Sequence, residues 1–321
     1  MTRGSGPSRG RETSAVAPAP DAAAPSEHDD LTALLRWLGD QAMGARVELV
    51  CAHERGPVRA PPDVLVVRLA GCAGELSAAS YLELAAAGAA VVVPTAQCPQ
   101  AERTATSVAA ANRLLGAWPG APRVSERTDE QRRHRRARVY ELGRLPLSRR
   151  RLLFLARLDN SCVPDVHLDQ RSRVIFALQC LNRRGWAPSA TKEPSLPCAN
   201  LEVTGCTACG VCVRACPTAA LTLEEDDSGS GLFALEHLAS RCDDCGRCVA
   251  LCPTRALIRT GQGDWPRLLD DKSRTLATGA VRRCAHCGAS FAETDPGRYC
   301  PPCAFRLADP FGSRLPAAAT T

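Results

Sequence analysis

A chain of 321 residues leaves room for two or three domains, and its 45% hydrophobic content suffices for globular cores built on Leu, Val and Ala, since aromatics are only 4%. It carries 40 Lys+Arg against 34 Asp+Glu, and 38 of those cations are Arg, a bias matching the Ala, Pro and Gly richness of a GC-rich genome more than a nucleic-acid partner. No run of about 18 uninterrupted apolar residues occurs, which excludes a spanning helix, and no apolar stretch follows the N-terminal arginines, so a cytoplasmic protein is expected.

Residues 1–28 hold almost no large apolar side chain and are expected to be a disordered tail. Order should begin at Asp30, an N-cap ahead of Leu31, Leu34, Leu35 and Leu38 at helical spacing. Strands are then expected at Val47 to Val50, Val64 to Leu69 and Ala90 to Val93, with helices at Ser77 to Ala87 and Ala101 to Trp118. Strands apolar on both faces and separated by helices imply a small parallel α/β sheet.

From Glu126 to Arg151 the chain is charged, with ten Arg against four carboxylates, and reads as a solvated linker helix. Leu152 to Leu181 is mostly helical in pattern, as at Val174, Leu178 and Leu181. Trp186 to Pro197 is a Pro-rich linker, and the cysteine-dense part runs from Cys198 to Cys303. Eighteen cysteines in a cytoplasmic chain point to metal or redox chemistry, not to disulfides.

Cys206-Thr-Ala-Cys209-Gly-Val-Cys212-Val-Arg-Ala-Cys216-Pro217 is repeated as Cys242-Asp-Asp-Cys245-Gly-Arg-Cys248-Val-Ala-Leu-Cys252-Pro253. Two-residue gaps let three thiolates wrap a tight loop around one corner of an iron–sulfur cubane, and Gly210 and Gly246 let backbone amides approach the sulfurs. The proline ends the loop, with the fourth cysteine expected at the start of a short helix. Over residues 199–261 the chain resembles the two-cluster bacterial ferredoxins. That resemblance implies two [4Fe-4S] clusters, one on Cys206, Cys209, Cys212 and Cys252, the other on Cys242, Cys245, Cys248 and Cys216. The 25 residues between Cys216 and Cys242 are long for the family, so a lengthened hairpin is expected there, with acidic Glu224 to Asp227 and a Ser-Gly-Ser-Gly turn as a docking loop.

Cys284-Ala-His-Cys287 and Cys300-Pro-Pro-Cys303 are two knuckles 12 residues apart, the ligand set of a tetrahedral zinc ribbon, with rubredoxin-type iron as the alternative. His286, between two ligands, is expected to be solvated. Two cubanes and one zinc site, each with a net charge of about −2, cancel the formal +6 of the chain.

Cys51, Cys72 and Cys98 each follow an expected strand and should converge at the carboxyl edge of the sheet, with His53 as a fourth donor. Over residues 45–118 the segment is similar to the delta-subunit domain of methyl-viologen-reducing hydrogenase, a flavodoxin-like iron–sulfur module. The resemblance implies a [2Fe-2S] cluster as a third redox site. The family carries more cysteines after its first strand, and the other readings are a docking domain without cofactor, a redox thiol pair or a flavin. No glycine-rich phosphate loop follows any strand. Cys162, Cys180 and Cys198 lack partners at ligand spacing and are expected to be non-ligands.

The expected organisation is multi-domain α/β plus α+β. The tail over 1–28 precedes a small flavodoxin-like α/β domain over 29–122, then an Arg-rich helical connector and Pro-rich linker over 123–197. The ferredoxin domain spans 198–262, the zinc ribbon 280–306 and a second disordered tail 307–321. The expected function is single-electron relay for a larger oxidoreductase of hydrogenase or molybdenum-enzyme type, without a substrate site of its own. The other class is a redox- or oxygen-sensing or assembly protein whose clusters and ribbon serve structure and partner binding.

Overall fold

The computed structural model describes residues 27–39, 44–127, 135–145, 162–165, 167–191, 193–225, 231–293 and 297–311. Most of the two expected tails, the Arg-rich stretches at 128–134 and 146–161 and the hairpin tip at 226–230 lie outside these residues. No helix among the described residues is long and apolar enough to cross a membrane.

Helix α1 (Glu27–Leu38) starts a turn before Asp30 and buries Leu31, Leu34, Leu35 and Leu38, the stripe read from their spacing. Strand β1 (Arg46–Val50) leads to β2 (Val64–Arg68) with no helix between them, and helix α2 (Ala78–Ala86), strand β3 (Ala90–Pro94) and helix α3 (Ala101–Leu115) follow. The three strands are parallel, because each crossover returns the chain to the same end of the sheet. Two further strands come from the segment read as a charged connector: β4 (Val124–Arg127) beside β3 and β5 (Val139–Glu141) beside β2. The sheet order is β4-β3-β1-β2-β5, so it extends past the boundary expected at residue 122. Arginine-rich edges escape hydrophobic periodicity because their side chains reach carboxylates elsewhere in the sheet. Arg127 of β4 donates twice to the buried carboxylate of Glu48 on β1, at 2.5 and 2.7 Å.

Helix α4 (Gln170–Arg183) packs on α2, where Arg173 grips the buried Glu83 carboxylate at 2.8 and 2.7 Å. The same helix reaches the second half of the chain. Arg171 donates to the carbonyls of Pro197 and Cys242, at 2.8 and 2.6 Å, and Gln179 donates to that of Leu269. The described residues of 123–197 are therefore part of the body of the molecule, and one apolar core runs from Leu34 through Leu178 to Trp265 and Leu268. Trp118 and Trp265 meet edge to face, centroids 4.6 Å apart, across that junction.

Asp169 caps α4, its carboxylate accepting from the Ser172 amide and hydroxyl, which holds the carboxyl below its ordinary value. The cap contributes above the unfolded value near 3.8 and fades as pH falls through the lower folded value. Asp169→Ala should cost about 1 kcal/mol near neutral pH, and less at pH 3 than at pH 6, measured by urea unfolding at both.

Strand β6 (Ala199–Val203) pairs antiparallel with β9 (Leu257–Gln262), joining the ends of the doubled cysteine segment. Between them lie the short helices α5 (Val211–Ala215) and α6 (Arg247–Ala250), and the hairpin β7 (Leu221–Glu225) and β8 (Leu232–His237). After α7 (Trp265–Leu269), the long strand β10 (Arg274–Arg283) pairs with β8, and β11 (Ser290–Ala292) pairs with β10. Helix α8 (Pro301–Ala308) follows, and its last residues fall where the C-terminal tail was expected. The resulting sheet, β11-β10-β8-β7, fuses the C-terminal knuckles to the hairpin. At Gly279 a Cβ would sit 2.9 Å from the Phe233 ring, so glycine permits the close approach of β10 to β8.

Candidate iron–sulfur and metal sites

The doubled motif folds as two copies of one loop. Ala208 and Asp244 have φ of 53° and 57°, Gly210 and Gly246 have 65° and 70°, and Ala219 and Arg255 have 51° and 55°. Left-handed turns at equivalent positions curl each loop and start each helix on a glycine N-cap. The third cysteine of each copy lies inside the short helix and the fourth follows it, so Cys216 caps the end of α5 instead of opening a helix.

Two cavities result. One is lined by Cys206, Cys209, Cys212 and Cys252. The other is lined by Cys216, Cys242, Cys245 and Cys248. Each cavity thus takes three thiols from one copy and the fourth from the other, while α5 and α6 pack together between them. A four-thiol donor set around an apolar hollow fits a cubane, and Cys209 and Cys245 are its exposed corners.

Amides reach the sulfurs, with Ala208 N–H to Cys206 at 3.4 Å and Ala220 N–H to Cys216 at 3.2 Å. Burial pushes the Cys212 and Cys248 thiols up to about 11. Burial also acts on the two crossing cysteines, but there it is outweighed. The Thr218 hydroxyl and the Ala220 amide at Cys216, and the Leu257 amide and Thr254 hydroxyl at Cys252, hold both below the usual thiol value. These threonines were overlooked in the sequence although both copies read Cys-Pro-Thr. His237 was also missed. It lines the second cavity from β8, 5% exposed, and its Nε2 has no hydrogen-bond partner among the described residues.

In the C-terminal knuckles the sulfurs of Cys284, Cys287, Cys300 and Cys303 lie within 4.8 Å of one another, close enough for one ion. Burial raises Cys284, but the amides of Cys287, Cys300 and His286 outweigh it and bring the thiol down to about 6. His286 is exposed, its Nδ1 3.6 Å from the Cys303 sulfur. The site also touches the first cavity. The Ala292 amide donates to the Thr207 carbonyl at 3.0 Å, and Ala292 packs with Ala208 and Phe233.

At the parallel sheet the three cysteines that follow β1, β2 and β3 do converge. Sulfur separations are 3.9 Å for Cys51–Cys72, 3.9 Å for Cys51–Cys98 and 3.4 Å for Cys72–Cys98. They sit beside β1, where the strand order reverses, and the His53 ring reaches the sulfurs of Cys51 and Cys98 within 4.8 Å. Burial, then the neighbouring thiols, push Cys51 up to about 12 against the pull of the Ala73 amide.

Two cysteines that the sequence left unpartnered also meet. The buried Cys162 and Cys180 hydrogen-bond to each other beside Arg183 and Arg184, which favours the thiolate at Cys162. Cys198 is buried under Gly263 and lines neither cavity.

Residues 205–256 match the 4Fe-4S dicluster domain family, the segment that contains both loops and the hairpin between them. This part of the chain is of ferredoxin type, and it binds 4Fe-4S iron–sulfur centres. No curated protein matches the chain.

Proposed function

We propose that the protein relays single electrons through two [4Fe-4S] clusters to or from a larger oxidoreductase of hydrogenase or molybdenum-enzyme type. The observation that carries this reading is the exchange of the fourth cysteine between two adjacent cavities, which sets two one-electron centres side by side. Cys206, Cys209, Cys212 and Cys252 hold one cluster and Cys242, Cys245, Cys248 and Cys216 the other; when bound, each cluster supplies one-electron storage. The residues of this chain set the environment: amides and threonine hydroxyls donate to the sulfurs, and the apolar linings exclude water.

Cys209 and Cys245 open to solvent, and Leu251 and Ile258, on either side of Cys252 in the chain, are exposed, groups suited to a redox partner. The four C-terminal thiols hold zinc in a closed ribbon, a structural role. The resemblance read from the sequence over residues 45–118, to the hydrogenase delta-subunit domain, guides the choice of partner class.

Anaerobically reconstituted protein should carry about eight irons and, on dithionite reduction, give the paramagnetic resonance spectrum of two interacting S = 1/2 centres. A protein that binds the iron but passes no electron to any one-electron acceptor would be a sensor or assembly factor instead.

A further inference from the structure

A [2Fe-2S] rhomb holds its thiolates in two pairs, one pair per iron, and distances across the rhomb must span both irons. With three thiolates and one imidazole, a single sulfur–sulfur distance can be short and two must be long. Here all three are short, at 3.4, 3.9 and 3.9 Å. Four-coordinate zinc with Zn–S bonds of about 2.3 Å sets tetrahedral sulfurs about 3.8 Å apart. The three sulfurs at this sheet edge do not fit the two-iron cluster, and they do fit one ion, with the His53 ring within 4.8 Å of the Cys51 and Cys98 sulfurs.

The loops are built for that closeness. The Ala73 amide, just past Cys72, donates to the Cys51 sulfur at 3.3 Å. Cys72 opens a short helical turn, Ala73–Glu75, in which the Glu75 carboxylate accepts the Cys72 amide at 3.1 Å. A Cβ on Gly74 would meet Gln100 at 2.5 Å, so only glycine lets the loop after β2 press against the loop that carries Cys98. No disulfide joins these sulfurs, whose shortest separation is 3.4 Å against a bond of about 2.05 Å.

We infer that the sulfurs of Cys51, Cys72 and Cys98, with His53 beside two of them, form a mononuclear zinc site that clasps the three loops at this edge of the parallel sheet. Zinc carries no electron, so the α/β unit is a docking module and the electron path ends at the two cubanes.

Zinc and iron analysis of the full chain tests this. The ribbon variant Cys300→Ala should retain about one zinc per chain, and adding Cys72→Ala should release it while iron stays near eight. On the Cys300→Ala background, cobalt exchanged for zinc should give the visible bands of a tetrahedral thiolate site, a measurement that needs no change at the sheet edge. Loss of all zinc in Cys300→Ala would overturn the assignment. So would iron rising to about ten with a two-iron absorption spectrum. Absence of the cubanes alone would sink the relay proposal and leave the zinc site standing.

Discussion

Cys252→Ala should empty the cavity of the other motif copy. About four irons should remain after anaerobic reconstitution, and they should belong to Cys242, Cys245 and Cys248 although Cys252 follows these in sequence. The reason is geometric: the short helix α6 carries Cys248 toward one cavity, and the turn after it delivers Cys252 to the cavity lined by Cys206, Cys209 and Cys212. Double variants make the assignment unambiguous, because residues that act on one cluster are non-additive and those on different clusters add. Cys206→Ala added to Cys252→Ala should cost no further iron. Cys242→Ala added to Cys252→Ala should remove the rest. The opposite pattern would mean that each motif closes its own cluster and that the two cavities are misassigned.

Loss of the C-terminal ion is expected to reach the first cluster. A structural zinc contributes an apparent binding free energy of about 10–16 kcal/mol, most of the stability of a segment without its own core. Among the described residues the core here is Cys284, Phe291, Cys300 and Cys303. In Cys300→Ala, β11 should lose its place on β10, and with it the bond from the Ala292 amide to the carbonyl of Thr207, which lines the first cavity. Hydrogen exchange followed by mass spectrometry should show protection collapsing over Val281–Ala292. Pairing of β6 with β9 should stay protected. Oxygen should then bleach the first cluster several-fold faster than the second. Equal bleaching of both clusters in this variant, or unchanged protection of β11, would show that the knuckles stand apart from the ferredoxin part.

The second expectation depends on contacts between segments that sequence reading treated as separate domains, whereas the first stays within the expected ferredoxin domain. A ribbon over 280–306 was expected to stand alone, yet β10 begins at Arg274 and pairs with β8 from Arg274 to Ala280. The strand alternates small and polar residues with no apolar run, so periodicity gave no signal until β8 offered it a partner. Within the connector over 123–197 the helical spacing of Val174, Leu178 and Leu181 was legible and falls in α4, but the segments that form β4 and β5 were legible only as charge. These two strands are held by Arg127 on Glu48 and by Arg68 on Glu141, pairs that join residues 79 and 73 positions apart.

What the sequence determined by itself is local chemistry. Fixed gaps between cysteines dictate loops whose thiols face inward, and the repeated Gly210 and Gly246 dictate the left-handed turns that start α5 and α6. Apolar runs ahead of Cys51, Cys72 and Cys98 dictate three parallel strands that deliver those thiols to one edge. Tertiary structure alone decided the distances among the delivered thiols, and distance is what separates a single ion from a cluster. Those separations depend on how closely two loops pass, here set by the missing side chain of Gly74 against Gln100. It also decided that α4 and β10 weld the parts into one body, because such contacts pair residues far apart in the chain, where no local pattern records them.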